Sequence, residues 1–153
     1  MNNDCMTTTP THNTGLNIRA YLDTDESQVI DLWQQCQLIM PWNNPQKDIG
    51  RKIAINRDLF LVGELNGKIV ASVMGGYDGH RGWINYLAVH PDQRRRGYAK
   101  KLMSQVENRL KACGCPKINL QVRANNHDIL SFYKSLGFTD DHVISLGKRL
   151  VSD

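Results

Sequence analysis

Residues 87–99 of the chain read LAVHPDQRRRGYA, and this stretch decides how the rest of the sequence is interpreted. An apolar strand pattern over Trp83–Val89 ends before Pro91, and a helical pattern of apolar residues begins around Gly97. The start of a helix presents unpaired backbone N–H groups and the positive end of the helix dipole, which together attract phosphate oxygens. The stretch therefore predicts a phosphate site between a strand and a helix, at a glycine that a ligand can approach closely.

Cationic side chains are concentrated in the same stretch, at Arg94, Arg95, Arg96, Lys100 and Lys101. The net charge of the whole chain is only +4, so this cluster is a local feature. Cations beside a helix start indicate a polyanionic partner at one place. The same residues are also compatible with the plain start of a surface helix, because short glycine motifs often arise by chance.

Two other phosphate-binding arrangements do not fit the chain. A dinucleotide-binding fold places G-x-G-x-x-G after its first strand, whereas Gly97 stands alone and follows several strand patterns. A P-loop ends in Gly-Lys followed by Ser or Thr, a tripeptide that the chain does not contain.

The patterns on either side predict an α+β fold with element order β-α-α-β-β-β-α-β-α-β. Its centre would be a mixed, mostly antiparallel sheet of six to seven strands, flanked by about four helices. The strand patterns lie at 17–22, 59–65, 68–74, 83–89 and 117–123, with one or two more after Phe138. The helical patterns lie at about 26–40, 46–56, 96–112 and 126–136.

Three local features refine this expectation. Asn66-Gly67 predicts a type I′ turn between two strands, because both residues tolerate a positive φ. The glycine-dense residues 75–82 are expected to form a loop. The strand Trp83–Val89 is apolar nearly throughout, so we expect it to be central and covered on both faces.

Length and composition set the broad class. The chain has 153 residues, of which 41% are hydrophobic and 22% charged, as is typical of one globular domain. We expect residues 1–15, which are polar and without periodicity, to be a disordered tail, and residues 16–153 to form a single domain. No apolar run is long enough to cross a bilayer, and no secretory signal is visible, so we expect a cytoplasmic protein.

Metal and nucleic-acid partners are not expected. The four cysteines form no C-x-x-C pair and no Cys/His cluster with zinc spacing, which predicts no metal site and reduced structural thiols. An aromatic fraction of 7% and a single basic cluster argue against a nucleic-acid surface.

Two segments carry a resemblance to a known family. Arg94-x-x-Gly97-x-Ala99 resembles the R/Q-x-x-G-x-G/A signature of the GNAT (Gcn5-related) N-acetyltransferases, and the preceding Leu87-Ala88-Val89 resembles that family's fourth strand. Residues 126–138, with Asn126 and Tyr133 correctly spaced, resemble its N-x-x-A-x-x-x-Y-x-x-x-G-F segment. The resemblance spans about 18–150. Within the family, residues 41–45 and 76–82 look most like the small bacterial YpeA-type proteins.

The resemblance implies a GNAT fold and an acetyl-CoA-dependent N-acetyltransferase. A primary amine, in a small molecule or a protein, would attack the donor directly in a ternary complex. The pyrophosphate of acetyl-CoA would lie on the backbone amides of residues 95–100, and its pantetheine arm would pair with residues 87–89 like an added strand, where one N–H would polarise the thioester carbonyl. The donor-binding residues so implied are Leu87, Ala88, Val89, Arg94, Arg95, Arg96, Gly97, Tyr98, Ala99, Lys100, Asn126 and Tyr133.

Tyr133 would also be catalytic, protonating the leaving thiolate. Taken without the resemblance, the pattern favours a core aromatic on the apolar face of its helix, beside Ile129 and Leu130. The base that deprotonates the amine stays open. Strand 83–89 carries no acid, and Gln121 stands where some relatives have Glu. The candidates are Asp78, His80, Glu64, and a water held by Tyr86 or Asn85.

Two further points stay open at this stage. The absent acid motivates an alternative function, a catalytically weak acyl-CoA-binding sensory or regulatory module. The oligomeric state is a monomer or a homodimer. Specificity for the acceptor is expected from the loops 41–45 and 77–81, in which Trp42 either faces the substrate or covers the core.

Overall fold

The computed structural model of the protein describes residues 15–153. The tail predicted for residues 1–15 therefore lies, apart from Gly15, outside the described residues, and the boundary between tail and domain stays a prediction. Within the described part, no helix is both long and apolar enough to cross a membrane.

A five-stranded sheet in the order β1-β2-β3-β4-β5 organises the fold. Its first four strands run antiparallel to their neighbours, and β5 runs parallel to β4, so the prediction of a mixed, mostly antiparallel sheet in an α+β fold is confirmed. The elements are β1 (Asn17–Ala20), α1 (Glu26–Gln35), α2 (Pro45–Asn56), β2 (Phe60–Leu65), β3 (Lys68–Tyr77), β4 (Gly82–Val89), α3 (Tyr98–Ala112), β5 (Ile118–Leu120) and α4 (His127–Ser135).

Each face of the sheet has its own apolar core. On one face, Trp33 of α1 and Ile49 of α2 are fully buried with Phe60 of β2. On the other, α3 contributes Leu102, Met103, Val106 and Leu110, and α4 adds Tyr133. The helical spacing of these apolar residues is the reason that each helix packs through one side.

Local sequence signals explain where the elements turn and start. Asn66 and Gly67 have φ values of +51° and +79°, as the predicted type I′ turn between β2 and β3 requires. The first turn of α2 is capped by the side chain of Asn44, which accepts a 3.0 Å hydrogen bond from the backbone N–H of Lys47. Pro45 follows at a position where its missing N–H costs nothing.

The glycine-rich residues 75–82 are not one loop, as was expected. Gly75, Gly76 and Tyr77 continue β3, Gly82 begins β4, and only residues 78–81 form the connection. The reason is packing, because a Cβ at Gly75 would lie 2.6 Å from Cγ2 of Val106. Glycine lets α3 approach the sheet there.

The predicted count of six to seven strands is wrong, since the described residues form five. The strand expected over 117–123 is reduced to Ile118–Leu120, and none of the residues after Phe138 is in a strand. Instead, the chain leaves the edge of β5 and is held by ion pairs from Lys117 to Asp141 and from Arg51 to Asp153. One ion pair beside β5 and one on α2 therefore hold this segment without strand pairing.

The expectation that β4 is covered on both faces is also wrong. Asn85 is exposed, and Tyr86 and Leu87 are only partly buried. The strand is central in one respect, because it pairs with β3 on one side and β5 on the other.

Replacing Gly75 by Ala should lower the free energy of unfolding by about 1–3 kcal/mol, the usual effect of overpacking a core. The cause is the contact with Val106 on α3. Urea unfolding at neutral pH measures the change. Gly76→Ala is the matched control, because its Cβ would have no neighbour closer than 3.7 Å, the flexible end of Lys52. Equal stability of the two variants would contradict this packing.

Candidate functional site

The strands β4 and β5 diverge, and this divergence creates the site. They pair only through Gly82–Ile84 of β4 and Ile118–Leu120 of β5, whereas β4 continues to Val89. The backbone N–H of His90 donates to the carbonyl of Val70 at 2.8 Å, and Ala88 is opposite Ser72 in β3. Because alternate residues of an antiparallel strand face opposite neighbours, the backbone groups of Leu87 and Val89 face the gap.

A β-bulge interrupts β4 at Tyr86. The register between β3 and β4 shifts between Ser72 and Met74, and Tyr86 has a φ of +49°. Its ring stacks on Trp33 with the ring centroids 3.9 Å apart, and its hydroxyl donates a 2.8 Å hydrogen bond to Oδ2 of Asp48 on α2. Burial, followed by the neighbouring Asp48 carboxylate, raises the pKa of Tyr86.

The start of α3 is a row of free backbone donors beside the end of β4. Gly97 has a φ of +77° and makes no side-chain cap, and Arg95 also has a positive φ, of +63°. The first hydrogen bond of the helix runs from the N–H of Lys101 to the carbonyl of Gly97. Within the part of the chain that the structure describes, no backbone N–H from Arg95 to Lys100 donates to a protein acceptor. This geometry suits an anion.

The cations around this helix start have no counter-charge. None of Arg94, Arg95, Arg96, Lys100 and Lys101 forms an ion pair with another described residue. All five are exposed. Nothing lies within 4 Å of the position that a Cβ of Gly97 would occupy, so a ligand has room to reach the backbone.

The second motif places α4 against the same core as α3 and β4. Asn126 caps α4, its Oδ1 accepting from the N–H of Ile129 at 3.2 Å. Tyr133 is 7% exposed and packs against the rings of Phe132 and Phe138. Burial raises the pKa of Tyr133 to about 12. Its hydroxyl has no hydrogen-bond partner among residues 15–153.

Two of the sequence-predicted base candidates, Asp78 and Glu64, are engaged by other residues. The Asp78 carboxylate accepts backbone N–H bonds from Arg81 and His80 and a bond from the Trp83 indole, and these hold its pKa down at about 2. That is the pattern of a turn former. Glu64 is ion-paired with Arg19 at 3.3 Å. Gln121 donates to the hydroxyl of Ser145.

Asp48 is the carboxylate that the sequence reasoning missed. Besides the Tyr86 hydroxyl, it accepts a 3.0 Å hydrogen bond from Arg51, one turn further along α2. One signal was present in the sequence, because Asp48 and Arg51 are three residues apart on a predicted helix, a spacing that allows a salt bridge. The contact of Asp48 with Tyr86 joins residues far apart in the chain, so no local pattern predicts it.

The structure gives no sign of a metal site in its described part. No group of three or more His, Cys, Asp or Glu side chains among residues 15–153 is arranged to hold a metal ion. Cys36, Cys113 and Cys115 are free thiols.

Comparison with known proteins gives a consistent result. The model of the acetyltransferase (GNAT) family matches residues 26–138. A Sodalis glossinidius protein named as an acetyltransferase is 51% identical over 139 residues, which cover 90% of this chain and 98% of that protein.

Two solved structures illustrate the similarity of fold. The ribosomal-protein-S18-alanine N-acetyltransferase of Escherichia coli aligns with a TM-score of 0.69 and 24% identity, covering 82% of this chain and 78% of that one. A predicted acetyltransferase of Clostridium acetobutylicum, solved with acetyl-CoA, aligns with a TM-score of 0.66 and 20% identity, covering 87% and 96%.

Proposed function

The chain belongs to the GNAT family of acetyltransferases, and on that premise we propose that it is an N-acetyltransferase that moves the acetyl group of acetyl-CoA to a primary amine. The amine attacks directly, in a ternary complex. The observation that carries the proposal is the run of backbone N–H groups from Arg95 to Lys100 without protein acceptors, beside uncompensated cations. A pyrophosphate supplies the acceptors that this run lacks.

The gap between β4 and β5 supports the proposal that the pantetheine arm of acetyl-CoA lies beside β4. The backbone groups of Leu87 and the Val89 N–H face this gap, so an extended chain with amide groups can pair with them as an added strand. The Val89 carbonyl already accepts from Cys36 and Arg94. Ala88 pairs with β3 and holds the strand in place. An N–H after the bulge at Tyr86 then polarises the thioester carbonyl. Asn126 still has its side-chain NH2 free to hold the arm.

Tyr133 supplies the proton for the leaving thiolate in this proposal. When the amine nitrogen bonds to the acetyl carbon, the carbon–sulfur bond breaks and the sulfur takes a proton. The Tyr133 hydroxyl is suited to donate it, because its pKa of about 12 keeps it protonated and it has no competing acceptor among the described residues.

Asp48 takes over the role of the base that neither β4 nor β5 provides. The attacking amine must lose a proton, since a primary amine with a pKa near 10 is mostly protonated at neutral pH. Asp48 is adjacent to the bulge through Tyr86 and is partly exposed, so a proton can pass to its carboxylate directly or through the Tyr86 hydroxyl.

The second candidate function is an acyl-CoA-binding regulatory module with little turnover. It is favoured by Gln121, which lies where some relatives have an acid and is engaged with Ser145. The two functions share the donor site and differ only in turnover. The state of assembly, monomer or homodimer, does not separate them.

The first test is release of free thiol from acetyl-CoA across a panel of amines, amino acids, polyamines and peptides, with acetyl-CoA binding titrated on the same sample. We expect binding of acetyl-CoA and amine-dependent release of thiol.

Gly97→Glu should abolish binding of acetyl-CoA, because a carboxylate would stand against the pyrophosphate. Gly67→Glu is the control, since Gly67 has a similar φ of +79° and open space in the β2–β3 turn. Unchanged affinity of Gly97→Glu would contradict the donor site, and binding without release would favour the regulatory module.

Tyr133→Phe should lower kcat about 100-fold, the typical contribution of a general acid, with acetyl-CoA affinity unchanged. Tyr21→Phe is the matched control. Burial also raises the pKa of Tyr21 to about 12, but Tyr21 stacks on Phe60 on the opposite face of the sheet. Stopped-flow thiol release and calorimetry measure the two quantities. Equal kcat values for Tyr133→Phe and Tyr21→Phe would mean that Tyr133 only packs in the core and does not act as the general acid.

Asp48→Asn should lower kcat/KM about 100-fold at pH 7, and the deficit should shrink as the pH rises, because more of the amine is then unprotonated. Asp31→Asn, on the exposed face of α1, controls for the loss of one negative charge. A pH profile from 6 to 10 provides the measurement. A deficit that is constant across this range would mean that Asp48 is not the base.

A further inference from the structure

A carboxylate-binding site lies at the first half of α2, and the chain's own Asp153 occupies it. Both carboxylate oxygens of Asp153 contact the guanidinium of Arg51, and the side chain of Asp153 is only 4% exposed. Arg51 lowers the pKa of this carboxyl, with smaller contributions from the backbone N–H of Asn44 and from Lys47. A planar guanidinium that meets both oxygens is the usual protein receptor for a carboxylate.

This site borders an open, shallow cleft of about 610 Å3 at the surface. Trp42, which is 53% exposed, forms part of its wall. Residues 147–151 form another part, so the segment that ends in Asp153 lies along the cleft. The cleft therefore combines an aromatic surface, a guanidinium and a covering segment held by one ion pair.

Cationic side chains outnumber carboxylates around the cleft even with Asp153 in place. Lys148 and Arg149 line it together with Arg51, and Asp48 is the other carboxylate that contacts Arg51. Further along α2, Lys52 is partly buried and contacts the carbonyl of Gly75, without a carboxylate partner among the described residues. Removal of the Asp153 carboxylate would increase this excess of cations.

Asp48 connects this site to the bulge in β4. It accepts hydrogen bonds from the Tyr86 hydroxyl at 2.8 Å and from Arg51 at 3.0 Å. A molecule whose carboxylate rests on Arg51 therefore extends along Asp48 toward the point where the amine must be deprotonated. An amine and a carboxylate separated by a few bonds meet both requirements at once.

We propose that the acetyl acceptor is a small amine that carries a carboxylate, and that Arg51 binds this carboxylate in place of Asp153. The inference rests on the proposed acetyltransferase function and specifies its substrate class. The segment 147–153 then acts as an internal competitor, which an acceptor with a carboxylate displaces and an amine without one does not.

Binding is tested without catalysis in the Asp153→Ala full-length protein. The probes are glutarate and its uncharged analogue glutaramide, followed through the indole N–H signal of Trp42 in an NMR titration. We expect glutarate to bind at least about tenfold tighter than glutaramide, as one charge-assisted hydrogen bond provides. Wild type should bind glutarate more weakly than Asp153→Ala. Equal affinity for the two probes, or no binding of glutarate at millimolar concentration, would overturn the proposal.

Arginine variants identify the receptor in the same Asp153→Ala background. Arg51→Gln should remove the preference for glutarate, and Arg51→Lys, which keeps the charge but not the planar fork, should retain part of it. Arg57→Gln is the control, because Arg57 lies at the end of α2 and pairs with Asp23. A preference that survives Arg51→Gln would refute the assignment. Circular dichroism confirms that each variant is folded.

Thiol release with paired acceptors separates this proposal from the function on which it rests. The pairs are glycine and glycinamide, β-alanine and β-alaninamide, and lysine and cadaverine. We expect a higher kcat/KM for the carboxylate of each pair, and a lower KM for it in Asp153→Ala. Equal or faster turnover of the amines without a carboxylate overturns the substrate class but supports the acetyltransferase. Release from no amine counts against the acetyltransferase, and the glutarate titration still decides the carboxylate site.

Discussion

A buried chain of two hydrogen bonds holds the bulge on which the whole site depends. The indole N–H of Trp33 donates to the Ser72 hydroxyl at 2.9 Å, and this hydroxyl donates to the carbonyl of Tyr86 at 3.1 Å. Ser72 is fully buried, so each of these polar groups needs its partner. Together they fix Tyr86 at a positive φ in the middle of β4, a conformation that few non-glycine residues adopt without support.

The bulge determines what each side of β4 can do. Toward α2 it directs the Tyr86 hydroxyl to Asp48, and after it the backbone groups of Leu87 and Val89 face the gap left by β5. A short stretch of β4 backbone therefore joins the proposed donor site to the proposed acceptor side. The two regions also differ in whether their cations have carboxylate partners. The cations at the start of α3 form no ion pair among the described residues, whereas Arg51 on α2 is already engaged by the carboxylates of Asp48 and Asp153.

Local sequence signals predicted several turns and helix starts, including the helix start at the proposed donor site. The turn at Asn66-Gly67, the start of α3 at Gly97 and the start of α4 near Asn126 all depend on residues close together in the chain, and the structure places each as expected. Gly75 misled the reasoning because glycine in sequence indicates a loop, whereas here it permits contact with Val106. The missing strands after Phe138 and the pairing of Asp48 with Tyr86 both depend on contacts between distant segments, which apolar periodicity does not reveal.

The position of the acid follows from the same constraint. The Tyr86 side chain extends from the bulge in β4 to α2, with its ring stacked on Trp33 and its hydroxyl on Asp48. Asp48, the proposed base, therefore contacts β4 through a hydroxyl, and Arg51 holds its carboxylate in position. The Arg51 guanidinium has more donors than one carboxylate can satisfy, and Asp153 accepts from both of its terminal nitrogens. The side chain that orients the proposed base is therefore also the one that binds a carboxylate.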